Sequence, residues 1–383
     1  MVDNFYCSQK FTGLSIDLEK RLLYSCCSAT PEKIDLVWLK ANPGQLFNSA
    51  NLQQERQDML DNRPVASCQQ ACWIPESQGL ESQRTQYKTY NLTHTDTRTV
   101  EPEILNIILG STCNLTCVYC CKQYSTAWTR DIKNNGAYFD SPRFNLVPID
   151  DILSRISQKE HERSEGFDII VKELSNYKNL KEIVISGGEP FLYNGFPDLL
   201  NSLTDNENLL FYTGLGVDSR RLVAQLDRIR HKEKITAVAS AETCDRLYEF
   251  VRYSNTYHKF LENLQILQDH MTVKFLSVLS NLTIHGIVDF VDKFSDQVSF
   301  YNFCNDPSYL SINVLDDETK HNLVESISNS SIRLKDSIIT TMMKPCSELQ
   351  RQQLSSYLSQ YSQRRNLTLD IFPLSMLQWL NLK

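Results

Sequence analysis

The chain reads as an α/β protein: a partial (β/α)6, TIM-like barrel with a small cysteine-rich α+β module before it and a helical extension after it. Three observations predict this. From about residue 100, short β-rich apolar runs alternate with amphipathic stretches. Nine of the twelve cysteines fall ahead of or just inside that region, within the first 121 residues. After about residue 317 the pattern is helical to the end.

The apolar runs are Ile104 to Leu109, Glu182 to Ser186, Leu209 to Thr213, Ile235 to Ser240, Val273 to Leu279 and Val298 to Phe303. Between them, Phe167–Tyr177, Ser219–Arg230, Tyr257–Asp269 and Ile287–Phe294 carry apolar residues at three- and four-residue spacing, the period of a half-buried helix. Strand and helix in regular alternation imply βαβ units and a parallel sheet. Six units fall short of the eight that close a full barrel, and reactive groups are expected at the C-terminal ends of the strands.

The first hundred residues differ, with strand-like pieces at Phe11–Ile16 and Arg21–Ser25, a helical run at Asn51–Leu60 and cysteines at both ends. So small a core calls for a covalent or metal staple. The polar stretch Ser82–Thr99 reads as a linker into the first barrel strand. Boundaries at 1–99, 100–316 and 317–383 follow. The last segment holds helical patterns at Glu318–Ile327 and Ser347–Tyr361 and ends in the apolar-rich Leu367–Leu382.

Composition narrows the function. Of 383 residues, 41% are hydrophobic and 22% charged, a globular balance. The formal charge of -7 supplies no basic footprint, which turns the reading away from nucleic acid. Without a long apolar run or a secretory pattern in MVDNFYCSQK, the expectation is a cytoplasmic protein with no membrane partner. In a reducing compartment, twelve cysteines point to metal ligands or buried thiols rather than disulfides.

The segment ILGSTCNLTCVYCCKQYSTAW places Cys113, Cys117 and Cys120 in a C-x3-C-x2-C array directly after a predicted strand. Three thiolates on one loop can hold three corners of a cubane cluster and leave one iron open to a substrate. A zinc knuckle is the bland alternative, but it wants a fourth close ligand, and Cys121 beside Cys120 points away from it. The array, with Tyr119 before its last cysteine, resembles the cluster signature of the radical SAM superfamily.

That resemblance implies a [4Fe–4S] cluster coordinated by three Cys and S-adenosylmethionine (SAM), with Cys113, Cys117 and Cys120 as its metal-binding and catalytic residues. It implies reductive cleavage of SAM to a 5′-deoxyadenosyl radical that abstracts hydrogen from a substrate, chemistry that belongs to the cofactor. One βα unit later, EIVISGGEP ends in Gly187, Gly188, Glu189 and Pro190, similar to the segment that holds the SAM amino group in that family. At the ends of later strands, Ser240, Glu242 and Asn281 are candidates for the SAM ribose or carboxylate, and Val278 for the adenine. Arg252 is a candidate partner of the carboxylate, with a surface arginine as the alternative.

A second constellation comprises Cys7, Cys26, Cys27, Cys68 and Cys72. It resembles the SPASM/twitch auxiliary-cluster module, in which a cysteine-rich hairpin, a helix with an Asn and an Arg, and a closing cysteine pair follow one another. Here the module precedes the barrel and carries one cluster's worth of ligands, so the twitch form with one auxiliary [4Fe–4S] cluster is implied. Cys26 and Cys27 compete for one place, and spacing alone does not separate iron from zinc.

The resemblance thus implies an enzyme fed by an electron donor such as a flavodoxin or ferredoxin and acting on a peptide, protein side chain or small metabolite. A non-catalytic iron–sulfur or zinc protein and a radical RNA-modifying enzyme are the rival readings. Cys121, Cys244, Cys304 and Cys346 stand at no ligand spacing and read as buried or incidental thiols.

Overall fold

In the computed structural model, residues 5–26, 29–77, 82–86, 100–138, 160–204, 208–295 and 297–382 are described. The strands are β1 (Gly13–Asp17), β2 (Leu22–Tyr24), β3 (Glu32–Lys33), β4 (Ile104–Ile108), β5 (Glu182–Ser186), β6 (Asn208–Thr213), β7 (Ile235–Ser240), β8 (Thr272–Leu279) and β9 (Val298–Phe303). They form an open sheet in the order β3-β2-β1-β4-β5-β6-β7-β8-β9. All six predicted barrel strands are present within a residue or two of their expected bounds, and the pairings β4/β5, β5/β6 and β8/β9 are parallel. The helices among them are α1 (Ala50–Leu60), α2 (Thr126–Asn135), α3 (Glu160–Leu174), α4 (Phe196–Leu203), α5 (Ser219–Leu226), α6 (Asp245–Val251), α7 (Tyr257–Gln268), α8 (Ile287–Phe294), α9 (Asp317–Ser328), α10 (Lys335–Met342), α11 (Glu348–Arg365) and α12 (Leu374–Trp379).

The chain divides into two units, one comprising 1–110, 157–211 and 227–236, the other 111–156, 212–226 and 237–383. In the first, β1 is buried along its whole length because it lies between β2, paired antiparallel, and β4, paired parallel. The cysteine-rich segment therefore contributes strands to the same sheet as β4. Where an extended run from Phe11 was expected, Gln9–Thr12 forms one helical turn, since the Thr12 N–H and hydroxyl both return to the Ser8 carbonyl. Gly13 ends that turn, and a Cβ there would lie 2.9 Å from the carbonyl oxygens of both Gln9 and Ser25. Phe191, Phe196 and Phe211 pack edge to face at 5.1–5.6 Å behind the sheet. Glu173 on α3 accepts from the backbone N–H groups of Gly44 (2.6 Å) and Leu46 (2.9 Å), tying that helix to the N-terminal segment.

In the second unit, β8 alternates buried and exposed positions over its first half, as a strand with one covered face should. Helix α5 ends at Leu226, four residues short of the expected Arg230, and α11 runs on to Arg365. Ser347 and Gln350 form a capping box at the start of α11, and Asn366 in the left-handed conformation ends it. Trp128, Tyr138, Tyr357 and Tyr361 form one buried aromatic cluster, with centroids 5.4–6.0 Å apart. Among the described residues, no helix is long and apolar enough to cross a membrane.

Candidate active site and metal centres

The residues after β4 leave the sheet as an irregular loop whose backbone is fixed by side chains. Thr126 at the start of α2 donates its hydroxyl to the Cys113 carbonyl (2.8 Å) and accepts from the Cys113 N–H (3.2 Å). Trp128 Nε1 donates to the Cys117 carbonyl at 3.0 Å, and the Cys120 N–H closes a turn on that same oxygen at 3.0 Å. From α11, Tyr361 donates to the Thr116 carbonyl (2.8 Å) and Tyr357 to the Val118 carbonyl. Arg365 donates to the Tyr138 hydroxyl at 2.7 Å and packs its guanidinium 3.9 Å from the Tyr361 ring centroid. The C-terminal extension is thereby part of the mounting of the cysteine loop. Tyr357, Tyr361 and Arg365 stand four residues apart, one helix face, and that spacing was the available signal for a role the sequence reading did not assign.

Burial raises the thiols of Cys117 and Cys120; Arg252 draws Cys117 back, while Cys117, Cys121 and Cys113 push Cys120 further up. Thiolates so placed need a positive counter-charge, which cluster iron supplies when bound. Among the described residues, no three Cys, His, Asp or Glu side chains form a site for a single metal ion. A cubane makes a different demand, because each of its thiolates binds a separate iron. The donor set fits such a cluster: three thiols of one loop, close enough to act on one another electrostatically.

Glu242, just past the end of β7, is fully buried. Its Oε1 accepts from the Tyr119 hydroxyl (3.0 Å) and Arg252 Nε (3.2 Å), and its Oε2 from Arg252 Nη2 (2.8 Å) and the Val278 N–H (3.4 Å). Arg252, 3% exposed, is no surface arginine. Its guanidinium lies 5.5 Å from the Tyr119 ring centroid, and Nη1 reaches Cys117 Sγ at 3.9 Å, within the longer range of a sulfur acceptor. Burial opposes the charge on Arg252, but Glu242, Tyr119 and Cys117 outweigh it and hold the guanidinium above its ordinary value. Burial likewise keeps the Tyr119 phenol protonated far above its usual range.

Ser240 is half-buried at the end of β7. Asn281 is fully buried, and its amide donates to the carbonyls of Tyr309 (2.8 Å) and Val314 (3.2 Å), so it braces the segment before α9.

In the first unit, Gly187 has φ +123°, open only to glycine, and a Cβ there would meet the Gly110 carbonyl oxygen at 2.9 Å. The Gly188 N–H donates to that oxygen at 2.8 Å. The second predicted motif is therefore pinned to Gly110, three residues ahead of Cys113 in the chain. Glu189 is buried, its carboxylate capping the Phe191 N–H at 3.4 Å, and Pro190 opens the short helical turn that follows.

Cys7, Cys26, Cys68 and Cys72 line one cavity in this unit. A 3-10 turn (Ala66–Cys68) runs into a π turn (Gln69–Trp73), which sets the C-x3-C pair. Burial pushes the Cys7 thiol up to about 12, with smaller contributions from Cys26, Cys68 and Cys72. Cys26 lines the cavity with the other thiols; Cys27 lies outside the described residues. Lys10 and Arg84, not anticipated from sequence, also line the cavity. Lys10 is buried, bonded to Glu55 at 2.7 Å and to Ser67 Oγ at 3.1 Å, and Ser67 Oγ lies 3.9 Å from Cys68 Sγ. Arg84 pairs with Glu76 and packs over Trp73. The helix expected here to carry an Asn and an Arg holds Asn51 and Arg56, and Arg56 bonds at 2.9 Å to Asn48 in the turn before it. Four thiols around one cavity suit a thiolate-ligated cluster, in which each thiolate binds a separate iron.

Comparison with curated proteins gives no match. Among solved structures, native anSMEcpe with bound AdoMet is similar at 17% identity and a TM-score of 0.38, covering 64% of this chain and 67% of that one. Streptococcus suis SuiB is similar at 12% identity and a TM-score of 0.34, covering 75% and 59%. SuiB bound to the precursor peptide SuiA gives 13%, 0.35, 84% and 69%. Likeness at these levels carries no functional conclusion, and the chain spans about three fifths to two thirds of those proteins' lengths. The family model of the radical SAM superfamily matches residues 107–294, the stretch that holds the cysteine triad, Gly187–Pro190, Ser240, Glu242, Arg252 and Asn281. With the parallel sheet and the cysteine loop that follows β4, this shows that residues 107–294 form a radical SAM domain.

Proposed function

We propose that this chain is a cytoplasmic enzyme that reductively cleaves SAM at a [4Fe–4S] cluster held by Cys113, Cys117 and Cys120 and abstracts hydrogen from a peptide, a protein side chain or a small metabolite. The observation that carries this reading is the three-thiol loop, anchored at Cys113 and Cys117 by Thr126 and Trp128 and lying inside the matched domain. Bound cluster and SAM together supply a 5′-deoxyadenosyl radical.

The chain's own residues bind and orient. Gly187, Gly188, Glu189 and Pro190 are assigned to the SAM ammonium group, with backbone carbonyls that only glycines let a ligand approach. Ser240, part-exposed at a strand end, is assigned to a direct SAM contact. Tyr119 and Glu242 act through the neighbours to which their polar atoms are bonded, and Asn281, whose amide nitrogen is used within the fold, is assigned to SAM through its Oδ1. Cys7, Cys26, Cys68 and Cys72 are assigned to an auxiliary [4Fe–4S] cluster that passes electrons to or from the substrate, and a flavodoxin or ferredoxin is the proposed electron donor.

The test is anaerobic reconstitution with iron and sulfide, reduction with dithionite, and assay of SAM for 5′-deoxyadenosine. Product is expected. A protein with intact clusters that forms none overturns the enzymatic reading. Replacing Cys113, Cys117 and Cys120 together by Ala should leave about four irons per chain, one cubane; zinc in their place removes the auxiliary electron-transfer role.

A further inference from the structure

Glu242 and Arg252 form a buried ion pair at the cysteine loop, and its geometry is asymmetric. The Nε and Nη2 edge of the guanidinium is taken by the two carboxylate oxygens at 3.2 and 2.8 Å. Only Nη1 is directed elsewhere, to Cys117 Sγ at 3.9 Å. The fork is planar and rigid, so fixing one edge fixes the direction of the remaining N–H groups. Tyr119 adds to the clamp on both sides, donating its hydroxyl to Glu242 at 3.0 Å and facing the guanidinium with its ring. Glu242 is 0% and Arg252 3% exposed, so water does not compete for these bonds.

Hydrogen bonds and positive charge at a ligand sulfur favour the reduced, more negative state of an iron–sulfur cluster. We propose that Glu242 is a positioning residue that holds Arg252 against Cys117, and that Arg252 thereby raises the reduction potential of the cluster, easing its one-electron reduction by an external donor. This rests on the assignment of Cys117 as a cluster ligand. The two residues are expected to act as a unit, because the carboxylate brings a negative charge near the cluster and is useful to reduction only through the arginine it aims.

That opposition gives a test by sign. The reconstituted full-length protein is titrated with dithionite at set potentials, and the low-temperature EPR signal that changes on adding SAM is followed, together with iron per chain. Arg252→Gln is expected to lower the reduced-to-oxidised ratio at a fixed potential at least tenfold, equal to about 59 mV for a one-electron couple. Glu242→Gln is expected to lower it too, since one edge of the fork is released. Arg252→Lys, which keeps the buried charge and the best prospect of folding, is expected to fall between Arg252→Gln and the unaltered protein. An upward shift in Glu242→Gln, the effect of losing a negative charge alone, overturns the positioning role. An unmoved ratio in both Arg252 variants with full iron content overturns the inference while leaving the cluster assignment standing. A SAM-sensitive signal missing from the unaltered protein overturns both.

Discussion

Tyr361 and Thr116 lie 245 residues apart in the chain, yet the Tyr361 hydroxyl donates to the Thr116 carbonyl at 2.8 Å, inside the cysteine loop. The same hydroxyl reaches the Phe250 carbonyl at 3.2 Å. Removing it in Tyr361→Phe leaves two buried carbonyls without this donor, a loss of about 1–3 kcal/mol. Denaturant unfolding should record that loss, and iron retained after desalting should fall relative to the unaltered protein. Unchanged iron retention would mean that α11 supports the fold without mounting the loop.

Arg56 is fully buried, donating Nη1 to the Phe47 carbonyl at 3.0 Å and Nη2 to Asn48 Oδ1 at 2.9 Å, with its guanidinium 5.0 Å from the Phe47 ring centroid. Lysine cannot reproduce two divergent N–H groups on one plane. Arg56→Lys should cost about 2–4 kcal/mol in urea unfolding, the scale for losing charge-assisted bonds in a buried site.

His285 gives the second unit a pH dependence. Burial pulls its pKa down from 6.5 to about 4, against smaller upward contributions from the Asn281 backbone and Asp316. The depressed folded value means that the unfolded chain binds the proton first as pH falls. Stability is therefore full above about pH 6.5 and is lost progressively toward pH 4. At about 1.4 kcal/mol per pH unit, the loss is about 3 kcal/mol. His285→Gln should flatten this slope between pH 6.5 and 4; an unchanged slope would place the acid sensitivity elsewhere.

Gly187→Ala should be poorly tolerated. Its φ of +123° is costly for any L side chain, and the new Cβ would meet the Gly110 carbonyl oxygen at 2.9 Å and the Leu109 nitrogen at 3.0 Å. The expected result is a loss of about 1–3 kcal/mol in thermal or chemical unfolding. Calorimetric titration with SAM should show binding weakened at least tenfold, because the strand end that carries Gly188 and Glu189 must shift.

The barrel strands were legible because a strand with one covered face writes its burial into alternate apolar residues, as Leu105 and Ile107 or Ile183 and Ile185 do. The cysteine spacing was equally local: three thiols within eight residues share a loop whatever the rest of the chain does. Placing β1 beside β4 was not legible, because pairing partners lie about ninety residues apart and either sheet edge would have accepted an apolar strand. Nor was the shared cavity of Cys7, Cys26, Cys68 and Cys72, whose members come from segments up to 65 residues apart.

What the sequence by itself determined is the chemistry on offer: a C-x3-C-x2-C loop after a strand, Gly187–Pro190 one unit later and a cysteine set upstream, each specified by neighbours in the chain. Tertiary structure alone decided the partners. Glu242 met Arg252 and Tyr119, Tyr361 met Thr116, and Lys10 came to line the thiol cavity. The reason is physical: a buried charge or hydroxyl takes whichever complementary group the packed core brings within about 3 Å, and sequence separation does not enter that condition.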